Sequence, residues 1–544
     1  MFRHVGRGQA FVMAAGDCVP LTRSGGHAGC YHRHPQEARG LACAYRCAKA
    51  QYGGRWPVET APEIRPEPHE QEQSAAAGPG TSDEGYKPAL SNRQVQMIAM
   101  GGAIGVGLFY GTGEKIAAAG PGLVLSFAVA GVIALFVIRA MGELVLYRPT
   151  AGSFVEYARE FIGPWAGYAS GWMYWLNWAA TGVAEITAIG IYVQYWAPGI
   201  PQWLSALAAL AVLVAVNMVT VRLFGELEFW FATLKVLAIV SFLLVGLVLV
   251  LASAGIGDTH ATVSNLTSHG GFFPKGFPIV LMSLQAVVFA YAGTEMVGIA
   301  AGETKDVKRV IPKAVNGVMW RIAIFYCGSV LLLVMVLPWN EYSPTQSPFV
   351  TVFAKLGVPG AASIMNAVIL TAALSATNSG LYSTGRILRS LSARGEAPKF
   401  TSRMNKQQVP YGGILLTCSV YFLGVLLNIF VPRRAFDIAT ALASLGVLAT
   451  WVTILVCQMR LKAAAERGAV QRPAFRLFGT PVTNWIGLAG LAVVLVLMPF
   501  ANSEQAIAFG CIPLLIAALW YGWRRIERRR DPRRLIPAAR PPVP

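Results

Sequence analysis

Three ionisable side chains stand inside long apolar runs of this 544-residue chain. Glu185 lies in Thr181-Gly182-Val183-Ala184-Glu185-Ile186-Thr187 of the third run, Lys235 in the fifth, and Glu295 closes Phe289-Ala290-Tyr291-Ala292-Gly293-Thr294-Glu295 in the sixth. A charge at the centre of a hydrocarbon layer costs about 2.5–3.5 kcal/mol on insertion scales. Residues placed there at that cost either form an ion pair that holds helices together, or carry protons and touch a substrate. One lysine and two glutamates can balance part of one another's charge. Their spacing leaves open which of the three releases a proton.

Two glycine-rich segments accompany them. Gly101-Gly102-Ala103-Ile104-Gly105-Val106-Gly107 puts four glycines in seven residues, and the second segment joins Gly293 to the Glu295 carboxylate. Glycine inside a helix costs about 1 kcal/mol relative to alanine. Irregular backbone at membrane depth persists only where protein or a wet cavity satisfies its freed polar groups. Close packing through small residues is the alternative reading for either cluster alone. Taken together, one cluster opens the first apolar run and the other lies in the sixth, one five-span repeat apart, where inverted-repeat folds carry broken helices. A half-helix starting near Val106 and Gly107 would aim bare N–H groups at a carboxylate. A half-helix ending near Phe289 and Ala290 would leave carbonyls for an ammonium group. Opposed ends of this kind suit the part that all α-amino acids share.

The elements that must position these groups are transmembrane helices. Hydrophobic residues make up 55% of the chain and charged residues only 13%, against about 25% charged in an ordinary soluble domain. That composition argues against a soluble enzyme, a nucleic-acid module or a disulfide scaffold. From Leu90 onward, apolar runs of about 20 residues, the length that crosses ~30 Å of hydrocarbon, recur at 95–117, 122–143, 166–196, 203–221, 228–253, 278–301, 316–338, 350–385, 411–431, 436–459, 482–501 and 504–523. In the eighth, Gly357 to Gly360 are the place where a loop would precede the true span. The predicted architecture is therefore an all-α polytopic membrane protein of twelve helices. It consists of a 5+5 inverted repeat with helices 1 and 6 broken, plus two C-terminal helices. Residues 1–90 form an extension with no sustained apolar run, expected to be disordered or to lie upstream of the native start. Residues 91–525 form the helical domain, and 526–544 a basic tail.

The net charge of +18 follows the spans rather than a binding groove. Loops after even-numbered spans and the adjoining helix ends carry nineteen Lys and Arg, and those after odd-numbered spans five. The positive-inside rule then puts both termini in the cytoplasm. No basic groove interleaved with aromatic residues appears, so a nucleic-acid partner is not expected. Cys30, His32, His34, Cys43 and Cys47 in the extension match no tetrahedral metal spacing, and no metal or other cofactor is expected. Cys327, Cys418, Cys457 and Cys511 sit singly in apolar stretches and read as small buried hydrophobes. No histidine falls in any predicted span, which leaves a membrane enzyme without a base. No catalytic residue is assigned.

Residues from about Leu90 to Trp523 resemble the bacterial amino acid permeases of the amino acid–polyamine–organocation superfamily. The resemblance rests on Gly101–Phe109, Arg139-Ala140-Met141-Gly142-Glu143-Leu144, Gly225-Glu226-Leu227-Glu228-Phe229-Trp230, and Gly302-Glu303 followed by Ile311-Pro312-Lys313-Ala314. It implies a proton-coupled importer of an L-amino acid in the cytoplasmic membrane, with asparagine the first candidate. Relatives that carry asparagine tend to have aspartate at the position of Glu185, and those that carry aromatic amino acids glutamate. Another neutral or aromatic amino acid therefore stays open, as does a transport-dead sensor with the same pocket. By the same resemblance, Ala103, Ile104, Gly105, Val106 and Gly107 match the unwound segment whose amides take the substrate carboxylate. Phe289, Ala290 and Ala292 match positions around the substrate amino group, with Phe289 as a gating aromatic. Glu185 faces the substrate region. Lys235 matches a lysine that stands in for a sodium ion, and Glu295 an acidic residue needed for transport. Asn177 and Asn378 are of a type that can reach a side-chain amide.

Overall fold

A computed structural model describes residues 104–150, 152–219, 221–301 and 306–530. The extension 1–90, Ala103 with the start of the first glycine cluster, Gly302-Glu303 and the end of the basic tail lie outside the described residues.

The chain is helical almost throughout. The first span appears as a single turn, α1 (Val106–Phe109), which continues past Tyr110 into α2 (Gly111–Ala119). After Gly120-Pro121-Gly122 comes α3 (Leu123–Tyr147), then a short helix α4 (Ser153–Phe161). The next three are α5 (Pro164–Gln194), α6 (Gln202–Val219) and α7 (Val221–Leu251). A two-residue antiparallel pair, β1 (Gly255–Ile256) with β2 (Thr259–His260), lies in the loop that follows α7. The sixth span is α8 (Phe277–Ala290) and α9 (Met296–Ala301). The seventh is α10 (Val307–Arg321), a π-helical stretch over Ile322–Gly328, and α11 (Ser329–Val336). Then follow α12 (Pro348–Lys355), α13 (Ala361–Ala393), α14 (Tyr411–Phe430), α15 (Ala435–Glu466), α16 (Val482–Leu497), α17 (Ser503–Gly510) and α18 (Ile512–Arg530).

Among the described residues, eight segments are long and apolar enough to cross a membrane, and Gln202–Met218 and Phe277–Ala290 are apolar but shorter. The helix α5 misses that set although it is 31 residues long. Its Asn177, Thr181, Glu185 and glycines lower its hydropathy because it faces protein rather than lipid: it packs on α15, α13, α14, α4 and α6. By contrast, α18 has no buried residue, and apolar side chains such as Leu244, Phe430 and Leu514 point outward. An outward apolar belt of this kind is what a hydrocarbon solvent demands.

Several boundaries differ from the sequence expectation, among them the start of the seventh span, at Val307 rather than 316. The eighth run is split: α12 ends before Gly357 and Gly360, both at positive φ (+71° and +79°), and the true span is α13. The fifth starts at Val221 rather than at 228, which draws Glu228 two turns into the helix. The twelfth is two helices, α17 and α18, with Pro513 in the first turn of α18. Since α18 runs on to Arg530, the first part of the basic tail continues the last helix.

One end of the bundle is fastened by paired charges. Arg159 holds Glu396 through two bonds (2.9 and 2.6 Å), and Arg394 holds Glu156 likewise (3.1 and 2.6 Å). Glu143 of α3, fully buried, accepts from Arg472 at 2.6 Å, Gln458 at 2.9 Å and the Leu477 amide at 2.7 Å. Bidentate, charge-assisted geometry makes these the strong members of their class.

Candidate functional site

The sixth span stops being helical at Ala290, and Tyr291 to Glu295 form a turn before the helix resumes at Met296. Gly293 takes φ +89°, a conformation that L side chains rarely adopt. Two N–H groups that would have continued the ladder turn elsewhere. The Gly293 amide donates to Glu295 Oε1 at 3.3 Å, and the Thr294 amide to the Tyr291 carbonyl at 3.4 Å. The Ala290 carbonyl accordingly receives no backbone N–H among the described residues. Glu295 is fully buried, and its other oxygen accepts from Trp451 Nε1 of α15 at 3.5 Å.

The first span meets this break end-on. Gly105 is extended (φ −129°, ψ −160°), and α1 starts at Val106. A Cβ on Gly107 would come within 2.7 Å of the Ala290 Cα and 3.1 Å of its Cβ. Only glycine permits that approach without displacing backbone. A Cβ on Gly105 would collide with Glu185 Oε1, and that same oxygen accepts from the Val106 N–H at 3.2 Å. A carboxylate from α5 thus occupies the amide at the start of α1, as helix N-termini favour.

Between these ends lies a cavity of about 20 Å³, lined by Gly105, Gly107, Trp178, Thr181, Glu185, Phe289, Ala290, Ala292 and Ala376. Phe289 and Gly107 also line a second hollow, whose other walls carry Glu114, Lys115, Asp437, Asn502 and Gln505. The Phe289 side chain, 6% exposed, therefore stands where the two hollows meet.

The structure brings Gly105, Gly107, Glu185, Phe289, Ala290 and Ala292 together as expected, with Val106 bonded to Glu185 and Ile104 buried beside them. Ala103 lies outside the described residues. Asn177 and Asn378 are buried but line no part of the cavity. Asn177 accepts from Thr181 Oγ1 at 3.2 Å, and Asn378 accepts from Asn217 Nδ2 of α6 at 2.7 Å. Lys235 is fully buried on α7, where the carboxylates acting on it are Glu228 and Glu185. Glu295 is not among them.

Trp178, Thr181 and Ala376 line the cavity without having been singled out in the sequence. The signal for the first two was present: 178, 181 and 185 are spaced as i, i+3 and i+7, one stripe of a helix. The indole N–H of Trp178 and the Nδ2 of Asn177 are buried polar atoms with no hydrogen-bond partner among the described residues.

A family model described as amino acid permease matches residues 94–536. The chain belongs to the amino acid permease family. It is 52% identical to the L-asparagine permease of Salmonella typhimurium over 449 residues, 82% of this chain and 90% of that protein. It is 51% identical to the L-asparagine permease of Streptomyces coelicolor (81% of this chain, 92% of that one). With the L-asparagine permease 2 of Mycobacterium tuberculosis it shares 50% identity, covering 82% and 92%. A permease moves its substrate without changing a bond, so the chain is an amino acid transporter and not an enzyme, set in a membrane by its apolar helices. The permease assignment fits a cavity that has polar helix ends on two sides.

Proposed function

We propose that this permease imports L-asparagine together with a proton across the cytoplasmic membrane, with both termini on the cytoplasmic side. The observation that carries the reading is the bond from the Val106 amide to Glu185 Oε1. A substrate carboxylate drawn to the start of α1 competes with Glu185 for that amide, and two anions there repel each other. A proton on Glu185 removes the repulsion and releases the amide. Substrate and proton then enter as a pair, which is the definition of symport.

The remaining groups divide the substrate among them. The uncapped Ala290 carbonyl accepts from the ammonium group, as the dipole at a helix C-terminus favours. Trp178 lines the cavity, and its indole N–H, which has no hydrogen-bond partner among the described residues, is the donor we assign to the carboxamide oxygen of the substrate. The names of the relatives support asparagine as the cargo. Phe289, between the two hollows, moves aside to admit the substrate, and the helix ends stay fixed while one bundle rocks against the other.

Full-length protein in liposomes with labelled asparagine tests this. An inward proton gradient should raise uptake several-fold, and uptake indifferent to the gradient overturns symport. Unlabelled asparagine should compete better than glutamine, serine or phenylalanine. Stronger competition by phenylalanine overturns the substrate.

A further inference from the structure

We propose that Glu228 is a proton-exchanging residue of the transport cycle, receiving from Lys235 the proton that Glu185 brings in. This inference rests on the symport reading above. Glu228 is fully buried; its Oε1 accepts from Ser375 Oγ of α13 at 2.7 Å, and its Oε2 has no hydrogen-bond partner among the described residues. Lys235 lies seven residues further along α7, about 10 Å along the axis and on the same face. Two carboxylates act on the Lys235 ammonium, Glu228 more strongly than Glu185. Glu185 in turn lines the cavity and holds the Val106 amide.

The three groups therefore form one charged cluster, with Glu185 at the cavity and Glu228 bonded to α13. One positive charge faces two negative ones, all away from water. Net charge in such a setting is expensive, and a single proton shared among the three makes them neutral. The surroundings of Glu228 on α13 are polar but carry no charge: Ser375, Ser379 and Asn378 face it, and Asn378 is anchored by Asn217 of α6. Among the described residues, Lys235 is the one charged group that acts on it. Near Glu228 Oε2, Ser379 Oγ and Asn378 Nδ2 also lack hydrogen-bond partners. A proton on Oε2 would find an acceptor in Ser379 Oγ, while the ionised oxygen accepts from the Asn378 amide, so both states of Glu228 have a neighbour of the right kind. Glu295 cannot serve Lys235 in this way, because both its oxygens are bound at the break, to Gly293 and Trp451.

The transfer balances. The Lys235 ammonium gives a proton to Glu228, breaking N–H, forming O–H and leaving a lone pair on nitrogen. That amine then takes the proton held by Glu185, breaking O–H and restoring the ammonium. Glu228 releases its proton to water when the inner side opens. The sum moves one proton from Glu185 to Glu228 and leaves Lys235 as it began.

The test uses full-length protein in liposomes and compares two readouts. One is accumulation of labelled asparagine driven by a proton gradient. The other is exchange of labelled for unlabelled asparagine at equal pH, which moves no net proton. Glu228→Gln should lower the first by about tenfold or more and the second by less than threefold, about a factor left by local repacking. Equal losses of both, or accumulation like the wild type, overturn the proposal. Ser375→Ala, a milder change, should move the internal-pH dependence of accumulation by about half a unit, the scale of one lost hydrogen bond. An unmoved profile overturns it as well. Should wild-type uptake ignore the gradient, the symport reading fails and this inference with it. A gradient-driven wild type with an unaffected Glu228→Gln sinks this inference alone.

Discussion

Glu185 and Glu295 are the same residue type, each fully enclosed in a membrane-spanning helix bundle, and each adjoins the interrupted backbone. They differ in what surrounds them. Glu185 has one oxygen on the Val106 amide and the other without a partner among the described residues, a wall of the cavity at its side, and Lys235 within electrostatic reach. Glu295 has one oxygen on the Gly293 amide and the other near the Trp451 indole, and among the described residues no charged side chain acts on it. The first is held by a bond that a ligand can compete for. The second replaces a backbone acceptor that the turn at Gly293 removed. The proposed symport cycle therefore assigns the exchanging proton to Glu185, whose partner a ligand can replace, and leaves Glu295 to hold the break.

The largest effect is expected where the two helix ends meet, because both carboxylates depend on that approach. Gly107→Ala puts a methyl 2.7 Å from the Ala290 Cα, where backbone rather than a flexible side chain must yield. Overpacking of this kind costs about 1–3 kcal/mol, and transport should fall to background while the protein still purifies as a folded species. Substantial transport by this variant would show that the ends part easily, and would remove the geometric basis of the comparison.

Glu185→Gln comes next. Glutamine keeps the shape and an acceptor oxygen for the Val106 amide but cannot gain or lose the proton. Gradient-driven uptake should fall by about a hundredfold, at the lower edge of what positioned proton transfer contributes. What uptake remains should lose its dependence on pH. A variant that still follows the gradient would place the proton elsewhere.

Glu295→Gln should behave in the opposite way. Its ratio of gradient-driven uptake to exchange should match the wild type. Its stability in detergent should drop by about 1 kcal/mol, the worth of a weakened hydrogen bond at the break, read as a lower thermal midpoint. Altered coupling with unchanged stability would erase the distinction drawn between the two residues.

How much of this is legible in the sequence depends on what kind of signal each element leaves. The break at Phe289–Glu295 is visible because an unbroken helix seldom sets glycine and a carboxylate side by side within an apolar run. That Lys235 balances a buried carboxylate is expected from charge alone, although charge does not choose between Glu185 and Glu295. Glu228 escapes notice, since a helix start at 228 makes it look like a loop-edge charge. Hydropathy finds where a span is apolar, not where its hydrogen-bond ladder begins, and α7 begins at Val221. Asn177 and Asn378 stand out by residue type, which takes no account of helical phase. Asn177 sits about 100° of rotation from Trp178, beyond Thr181 at the edge of the 178–181–185 stripe, and is bonded to Thr181 rather than open to the cavity. Asn378 sits two residues past Ala376, which puts it on the side of Glu228 and Asn217. The α5 span is found from its apolar run despite a polar content that conceals its depth, because its polar residues face the bundle.

The smallest effect concerns selectivity, and it sharpens what the cavity beside Glu185 is for. Trp178→Phe removes an indole N–H that has no partner among the described residues, so the folded state loses no hydrogen bond. The ring body that packs near Tyr174 and Gly380 is only partly replaced by phenylalanine, so a small loss of stability should accompany the change. If that N–H meets the carboxamide of the substrate, asparagine affinity should weaken by about two- to tenfold, the value of one hydrogen bond of about 0.5–1.5 kcal/mol. Alanine or serine, lacking the carboxamide, should bind with unchanged affinity. The measurement is a pair of competition curves against labelled asparagine on the wild type and the variant. A parallel loss for all three amino acids would mean that Trp178 shapes the cavity without reading the side chain, and the amide would have to be recognised from another wall.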